Sequence, residues 1–197
     1  MSKLYVAVTG GIGSGKSLVL QYLHELKYSV FSCDELYKDI IVTEEYIQKV
    51  AKLFPSAVEN GEINRKRLSE LIFYDDAKRM QLNGIAHPMI MDLLMQKMKE
   101  AEGRIIFAEV PLLFEGNYES LFNRILFVNR DKLERAVAVE ARDGLSMEHI
   151  KKRIDAQFDS ESVEGKRRLR DAKVYILNNN ATTEKLKEEI SAFLNSL

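Results

Sequence analysis

An apolar strand that leads through a glycine-rich turn into a helix constrains this chain more than any other feature. The run Val6-Ala7-Val8-Thr9 is followed by Gly10, four residues, and Gly15-Lys16-Ser17, which fits the phosphate-loop pattern in full. Glycines let the backbone approach phosphate oxygens closely, and amides that converge at a helix N-terminus favour negative charge. Residues 10–17, the phosphate loop, therefore predict that the chain binds a nucleoside triphosphate.

The residue types of the phosphate loop divide the predicted contacts between side chains and backbone. Lys16 is expected to reach the β- and γ-phosphates, and the Ser17 hydroxyl is expected to hold Mg²⁺. Backbone contacts to phosphate are predicted at Gly11, Gly13, Ser14 and Gly15. The loop by itself leaves open whether the γ-phosphate is hydrolysed, sensed or transferred.

Length and charge limit the class of protein. With 197 residues the chain is expected to form one domain, or one core with insertions. Its 29 basic and 30 acidic residues leave a net charge of −1, so no overall field favours nucleic acid or an anionic membrane. The single cysteine, Cys33, excludes an internal disulfide, and no run approaches the ~20 apolar residues of a membrane span. We expect a soluble cytoplasmic protein without nucleic-acid or membrane partners, of open oligomeric state.

Short apolar runs that alternate with longer helical patterns favour an α/β fold with a parallel sheet. The predicted strands are Leu4 to Thr9, Ser29 to Ser32, Arg104 to Val110, Ile125 to Val128 and Val174 to Leu177. The first helix is predicted over 15–26, and the last helix is predicted to begin with Thr182 or Thr183 as its N-cap. Together these patterns predict a five-stranded parallel sheet flanked by helices.

Two long stretches exceed what a minimal alternating sheet needs. Residues 35–101 look wholly helical and are far longer than a crossover of a dozen or so residues. Because ligands of open α/β sheets bind along the carboxyl ends of the strands, this insertion is placed to hold a second substrate. Residues 132–171 are also helical and strongly charged, and they are expected to form a lid that excludes water from the triphosphate.

Two acidic residues lie at the carboxyl ends of predicted strands. Asp34 can accept a proton from a substrate hydroxyl that attacks the γ-phosphate, or it can cap a helix that begins at Glu35. Glu109 can add a carboxylate to the metal site, or form some other hydrogen bond at the sheet edge. Spacing alone leaves both choices open.

Basic residues and histidines give weaker signals. Any single arginine in the 132–171 stretch is by default a solvated helix-face residue, and Arg142 is the preferred exception. His87 precedes Pro88, so it is expected at a break in helical structure and, taken alone, is interpreted as structural. The sequence has no cluster of cysteine and histidine that indicates a transition metal.

Several motifs outside the phosphate loop occur together along the chain. They are Cys33-Asp34, Gly61-Glu62-Ile63-Asn64-Arg65, His87-Pro88, Pro111-Leu112-Leu113-Phe114-Glu115, Arg142-Asp143-Gly144, Gln157, Arg168 and Asn178. With the phosphate loop, this set resembles the dephospho-CoA kinase family over nearly the whole chain. The motif from Pro111 to Glu115 is the most specific after the loop.

The resemblance implies a fold, a reaction and a division into regions. The fold would be that of P-loop kinases of the nucleoside monophosphate kinase type. The reaction would be phosphorylation of the ribose 3′-hydroxyl of dephospho-CoA by ATP with Mg²⁺. Residues 1–34, 102–131 and 172–197 would form the nucleotide-binding core, 35–101 a helical CoA-binding region, and 132–171 the lid.

The resemblance also implies roles for individual residues. Asp34 would be the general base, and Arg142 would be the lid arginine near the adenine or the phosphates. Arg65 and His87 would lie near the acceptor substrate. Asn178, after the last strand, would meet the adenine.

The chain departs from the family pattern at several positions. Leu18 stands at a usual threonine, although its backbone amide can still meet the α-phosphate. Ser32 replaces the first acid of an Asp-Ala-Asp motif, which leaves Asp34 as the base. Arg135 stands at a usual glutamine and Ala138 at a usual arginine, so one lid cation is missing from its usual place and Arg135 is a candidate to replace it.

Two other functions stay open at this stage. Another small-molecule or nucleoside monophosphate kinase on the same fold would share every argument from the loop. Only the Pro111 to Glu115 motif and the His87-Pro88 pair discriminate against it. A nucleotide-dependent switch of the GTPase kind would need an Asn-Lys-x-Asp motif, and the nearest run, Asn129-Arg130-Asp131, does not fit.

Overall fold

The computed structural model describes residues 2–73 and 75–197, and the chain divides into two compact units. The first unit combines the chain up to Val30 with Ala101–Leu197, and the second unit is Phe31–Glu100. Each unit has its own hydrophobic core. Among the described residues, no helix is both long enough and apolar enough to cross a bilayer.

Strands and helices follow one another along the chain as the alternating pattern predicts. The strands are β1 (Leu4–Thr9), β2 (Ser29–Ser32), β3 (Val58–Glu59), β4 (Glu62–Ile63), β5 (Ile105–Glu109), β6 (Arg124–Asn129) and β7 (Val174–Asn178). The helices are α1 (Lys16–Glu25), α2 (Cys33–Ile40), α3 (Glu44–Leu53), α4 (Arg65–Phe73), α5 (Asp76–Glu100), α6 (Lys132–Asp143), α7 (Met147–Asp155), α8 (Val163–Leu169) and α9 (Thr183–Asn195). Helices α2 to α5 belong to the second unit, and the others belong to the first.

The predicted five-stranded parallel sheet is confirmed. Its strand order is β2-β5-β1-β6-β7, with β1 between β5 and β6. In the parallel registers, Val8 of β1 lies opposite Glu109 of β5, and Asn129 of β6 lies opposite Asn178 of β7. The carboxyl ends of β1, β5, β6 and β7 therefore share one edge of the sheet, where β1 runs into the phosphate loop.

Helices α1 and α9 join the core of the first unit through apolar stripes. Val19 and Leu23 of α1 and Ile190 and Phe193 of α9 are at most 1 % exposed and belong to the same cluster as the strand residues. Burying each such side chain contributes about 1.5–3 kcal/mol. Thr182 caps α9 by accepting a hydrogen bond from the backbone N–H three residues on. Both predicted helices are present, and the first of the two predicted caps is confirmed.

The second unit contains a hairpin, so the expectation of a wholly helical stretch at 35–101 is wrong there. β3 and β4 pair antiparallel, with Val58 opposite Ile63, through the turn Asn60-Gly61. The two turn residues have φ angles of 52° and 80°, as the Asn-Gly type of hairpin turn requires. Asn-Gly is itself a sequence signal for this turn, and the helical patterns on both sides obscure it.

Helix α5 continues through Pro88, so the expected break at His87-Pro88 is also wrong. Proline has no N–H to donate to the carbonyl of Gly84, which weakens the helix locally. Packing outweighs this cost, because α5 contacts α2, α3 and α4, and its Leu94 is completely buried. The proline rule describes an isolated helix, whereas α5 is held by three neighbours.

Residues 132–171 form α6, α7 and α8, which fits the expected helical stretch. The three helices begin at side-chain caps supplied by Asp131, Ser146 and Ser162. Buried residues of α6 and α7, among them Val139 and Ile150, form a cluster against which Ile12 of the phosphate loop packs. The loop is therefore in direct contact with α6 and α7.

Two exposed glycines of the second unit provide a test of the described backbone. A Cβ added at Gly61 or at Gly84 meets no atom within 4 Å, so only backbone conformation separates the two sites. Gly61→Ala should lower the free energy of unfolding by about 1 kcal/mol because its φ is positive. Gly84→Ala, inside α5, should raise it by about 0.5–1 kcal/mol. Urea unfolding at a constant m value measures both, and effects of equal sign contradict the hairpin turn.

Candidate active site

The predicted phosphate loop connects β1 to α1, and its conformation depends on glycine. Gly10, Gly13 and Gly15 have φ angles of 147°, 76° and 96°, which L side chains rarely adopt. Gly15 occupies the N-cap position of α1, and no side chain caps that helix. The first N–H groups of α1 are thus available to an anion.

Close packing behind the phosphate loop is a second reason for these glycines. A Cβ would lie 2.4 Å from the Val128 carbonyl oxygen at Gly10 and 2.5 Å from the Arg135 carbonyl oxygen at Gly13. At Gly15 it would lie 2.1 Å from Asn179 Nδ2. The loop packs against β6, α6 and the segment after β7, so three other parts of the first unit fix its shape.

Basic side chains hold the carbonyl oxygens of residues 10–13. Lys16 Nζ donates to the first two carbonyls at 2.8 and 3.2 Å, Arg135 Nε to the third at 2.9 Å, and Arg130 Nη1 to the fourth at 3.4 Å. Three cations therefore contact the loop, and the N-terminus of α1, which follows it, carries the positive end of the helix dipole. This electrostatic arrangement favours a multiply charged anion such as a triphosphate.

Arg135 lies buried against the phosphate loop. Its residue surface is only 8 % exposed, and burial lowers the pKa of its guanidinium. Arg135 Nη2 donates to Gln157 Oε1 at 3.1 Å, and the same oxygen accepts the Ile12 N–H at 2.8 Å. Gln157 therefore fixes both the guanidinium and the loop backbone.

Asn179 is a site residue that the sequence interpretation missed. It is 8 % exposed, and its Nδ2 donates to the Ser14 carbonyl oxygen at 2.8 Å. Asn178, the residue that was predicted, is exposed and accepts a hydrogen bond from Asn129 Nδ2 at 3.1 Å. A signal was present, because three consecutive asparagines, 178–180, follow the carboxyl end of β7.

The candidate metal ligands lie in the same unit. Ser17 and Leu18 are exposed in the first turn of α1, and Glu109 ends β5 beside β1. Among residues 2–73 and 75–197 no group of three or more His, Cys, Asp or Glu is placed to hold a metal ion. One hydroxyl and one carboxylate fit Mg²⁺, which is commonly bound through substrate phosphates and water with few protein ligands.

Arg142 occupies the last turn of α6, and its described hydrogen bonds do not involve residues 10–13. Its guanidinium donates to both carboxylate oxygens of Asp143, at 2.7 and 2.9 Å. This bond raises the pKa of Arg142 and lowers the pKa of Asp143. In the described structure, Arg135 and Arg130 therefore contact the phosphate loop, while Arg142 faces a neighbouring acid.

The Pro111 to Glu115 motif connects the sheet edge to the segment between α7 and α8. The Phe114 ring stacks on Phe158, with centroids 4.2 Å apart, and Glu115 Oε1 accepts the Phe158 N–H at 2.7 Å. Arg168 donates to the Phe114 carbonyl oxygen at 2.8 Å and lies over both rings. The motif thus positions the segment that carries Gln157.

The second unit contains a cleft of about 820 Å³. Asp34 and Arg65 both line it, together with Tyr37, Lys38 and an apolar wall of isoleucine and leucine side chains. His87, in α5, is half-buried and is not among the described residues that line this cleft. The structure therefore brings two of the three predicted acceptor-site residues together.

The alternative role of Asp34 as a helix cap is not what the structure shows. α2 begins at Cys33, with Ser32 at the N-cap position and no capping side chain. Asp34 instead lies in the first turn with its side chain exposed to the cleft. Its carboxylate is therefore not used as a cap.

The role of Asn179 in the phosphate loop can be tested by truncation. Asn179→Ala leaves the Ser14 carbonyl without its buried donor, which should lower the free energy of unfolding by about 1–3 kcal/mol and weaken ATP binding. Asn180→Ala, which removes an exposed acceptor of the Asp131 N–H, should change stability by no more than about 0.5 kcal/mol. Urea unfolding measures the stability of both variants, and calorimetric titration measures the ATP affinity of Asn179→Ala; equal losses of stability for the two variants would refute the assignment.

The chain is similar over its whole length to known proteins of one family. The family model for dephospho-CoA kinase matches residues 4–184. Dephospho-CoA kinase of Fusobacterium nucleatum is 31 % identical over 100 % of both chains, and that of Thermus thermophilus is 34 % identical over 98 % of this chain and 92 % of its own. A crystal structure of a Thermus thermophilus protein, 34 % identical, covers 100 % of this chain and 99 % of its own with a TM-score of 0.80. The chain therefore belongs to the dephospho-CoA kinase family.

Proposed function

We propose that this chain transfers the γ-phosphoryl group of ATP to the ribose 3′-hydroxyl of dephospho-CoA, yielding coenzyme A and ADP. The observation that carries the proposal is a phosphate loop surrounded by Lys16, Arg135 and Arg130 in a chain that matches dephospho-CoA kinases end to end. The reaction is the final step of coenzyme A biosynthesis. We also propose that the protein is cytoplasmic and that its partners are small molecules. A net charge of −1 favours neither nucleic acid nor a membrane as a partner.

The donor triphosphate is assigned to the phosphate loop. Backbone amides and the uncapped N-terminus of α1 bind the phosphate oxygens, and Lys16 exchanges its two loop carbonyls for the β- and γ-phosphates. The backbone set is Gly11, Gly13, Ser14, Gly15, Ser17 and Leu18. Because the loop is already held from behind, little reorganisation is needed when the nucleotide binds.

Mg²⁺ is assigned to the Ser17 hydroxyl, with Glu109 as a further ligand, directly or through water. When bound, it would neutralise charge that develops on the phosphate oxygens. Ser17 offers its hydroxyl from the first turn of α1, at the end of the helix where the phosphates are assigned.

The adenine is assigned to the carboxyl end of β7. Asn178 ends this strand, and two residues on, Asn180 lines a groove of about 470 Å³. Leu133 and Val137 of α6 give this groove an apolar wall. An apolar slot with a neighbouring amide suits a flat base that carries hydrogen-bonding edges.

The acceptor is assigned to the cleft of the second unit. Arg65 and Lys38 supply positive charge for the phosphates of dephospho-CoA, and the apolar wall suits its uncharged arm. His87 is proposed as a further group near this substrate, as the family resemblance implies. A cleft of about 820 Å³ is large enough for a ligand of this kind.

Asp34 is proposed as the general base of the transfer. Its carboxylate accepts the proton of the 3′-hydroxyl while that oxygen forms a bond to the γ-phosphorus. The bond from the γ-phosphorus to the bridging oxygen breaks, and ADP leaves with the electron pair. Arg142 is proposed as a lid cation, which requires it to exchange Asp143 for a phosphate oxygen.

An acceptor panel tests the proposed reaction. With ATP and Mg²⁺, purified protein should convert dephospho-CoA to coenzyme A with one ADP per product. AMP in place of dephospho-CoA should give no phosphorylated product, and ATP alone should give little inorganic phosphate. Turnover with a nucleoside monophosphate but not with dephospho-CoA, or ADP release independent of any acceptor, would contradict the proposal.

The role of Asp34 can be tested against its neighbour in α2. Asp34→Asn keeps the shape of the side chain but removes the base, so kcat should fall by about 10²–10⁴-fold while ATP affinity is unchanged. Glu35→Gln removes an exposed charge that does not line the cleft, and its kcat should stay near wild type. Steady-state kinetics and ATP titration measure both, and near-normal turnover of Asp34→Asn would show that the base is another group.

A further inference from the structure

Arg135 has an unusual environment for a guanidinium. It is 8 % exposed, and among residues 2–73 and 75–197 it forms no ion pair. Its described acceptors are two neutral oxygens, the Ile12 carbonyl and Gln157 Oε1, at 2.9 and 3.1 Å. Burial lowers its pKa, and no nearby acid raises it again. Buried charges are ordinarily paired, so this arginine lacks the partner that its burial calls for.

Other positive charges at the phosphate loop make the lack of an acid beside Arg135 more significant. Lys16 and Arg130 donate to neighbouring loop carbonyls, and the N-terminus of α1 adds a positive dipole end. Arg130 is itself paired with Glu134, Nε to Oε2 at 3.2 Å, whereas no described acid lies beside Arg135. A neighbouring cation raises the free energy of such a buried guanidinium. An anionic ligand on the phosphate loop would remove this repulsion.

Geometry places the guanidinium at the phosphate loop with unused donors. A Cβ on Gly11 would lie 2.0 Å from Arg135 Nη2 and 2.9 Å from Nη1, so the guanidinium covers that residue. Lys16 Nζ donates to the Gly11 carbonyl oxygen at 3.2 Å, which sets the two cations on the same loop residue. Of the five N–H groups of a guanidinium, the described hydrogen bonds use two.

We propose that Arg135 is a catalytic residue that donates to the γ-phosphoryl group of ATP during its transfer, held in place by Gln157. This proposal rests on the kinase function proposed above and assigns its transition-state cation to α6, at a position where the family pattern has a neutral residue. While the phosphoryl group passes from the bridging oxygen of ADP to the 3′-oxygen, Arg135 stays protonated and stabilises the charge on the equatorial oxygens. Arg142, the lid cation proposed above, is paired with Asp143 in the described structure.

Two substitutions separate a catalytic cation from a structural clamp. Arg135→Gln removes the charge, and kcat should fall by about 100-fold or more, with the KM for dephospho-CoA little changed. Gln157→Glu keeps both accepted hydrogen bonds and adds a carboxylate that pairs with Arg135. If Arg135 only holds the loop, Gln157→Glu should be at least as stable as wild type and fully active. If Arg135 is a catalytic cation, the new carboxylate neutralises it, and kcat should again fall by about 100-fold.

A binding measurement tests the same assignment without an acceptor. Wild-type protein should bind a non-hydrolysable ATP analogue more tightly than ADP, and Arg135→Gln should reduce that preference by about tenfold or more. Lys151→Gln, which removes an exposed charge from α7, is the matched control and should leave both kcat and the preference unchanged.

The outcomes distinguish the two proposals. If wild-type protein does not phosphorylate dephospho-CoA, the proposed function fails, while the loss of triphosphate preference in Arg135→Gln still supports the cation. If wild-type protein is active and Gln157→Glu keeps full kcat, the catalytic role of Arg135 is overturned. If Arg135→Gln does not fold, the kcat and nucleotide preference of folded Gln157→Glu, checked by thermal melting, decide the question.

Discussion

The phosphate loop keeps its shape because donors from elsewhere in the first unit hold its carbonyl oxygens. Lys16, Arg135 and Arg130 hold those of residues 10–13, and Asn179 holds the next one. The three basic donors bring positive charge to the N-terminus of α1, which already favours an anion. The sheet makes this possible, since the parallel registers of β1, β6 and β7 bring α6 and the segment after β7 onto the loop. The adenine groove, the metal ligands and the lid cations are all assigned relative to this loop.

Much of the first unit was predictable because its signals are short-range. The glycine spacing of the loop requires a strand before it and a helix after it, and both are present. The apolar runs place each strand of the main sheet within a residue of its observed ends. The stripes of α1 and α9 place those helices in the core. In each case the pattern reflects burial of the element itself, which depends little on distant residues.

The errors and omissions concern residues whose structure depends on distant contacts. Asn179 contacts Ser14, 165 positions earlier, and no local pattern indicates that pair. Pro88 continues a helix because three other helices pack on α5. Arg135 was singled out by its place in the sequence, but its burial and its bond to Gln157 come from the packing of α6 and α7 on the loop. Asp34 lines a cleft whose walls come from several helices, and its role as base stays a prediction.

The proposed reaction transfers a phosphoryl group to one hydroxyl of a bound acceptor and not to water. The most direct measurement is ³¹P NMR of the product formed from dephospho-CoA and ATP whose γ-phosphoryl group carries an ¹⁸O label, with Mg²⁺ present. We expect the label to appear as a monoester on the ribose 3′-oxygen, in an amount equal to the ADP released. Label found in inorganic phosphate, or on any other oxygen of the acceptor, would contradict it.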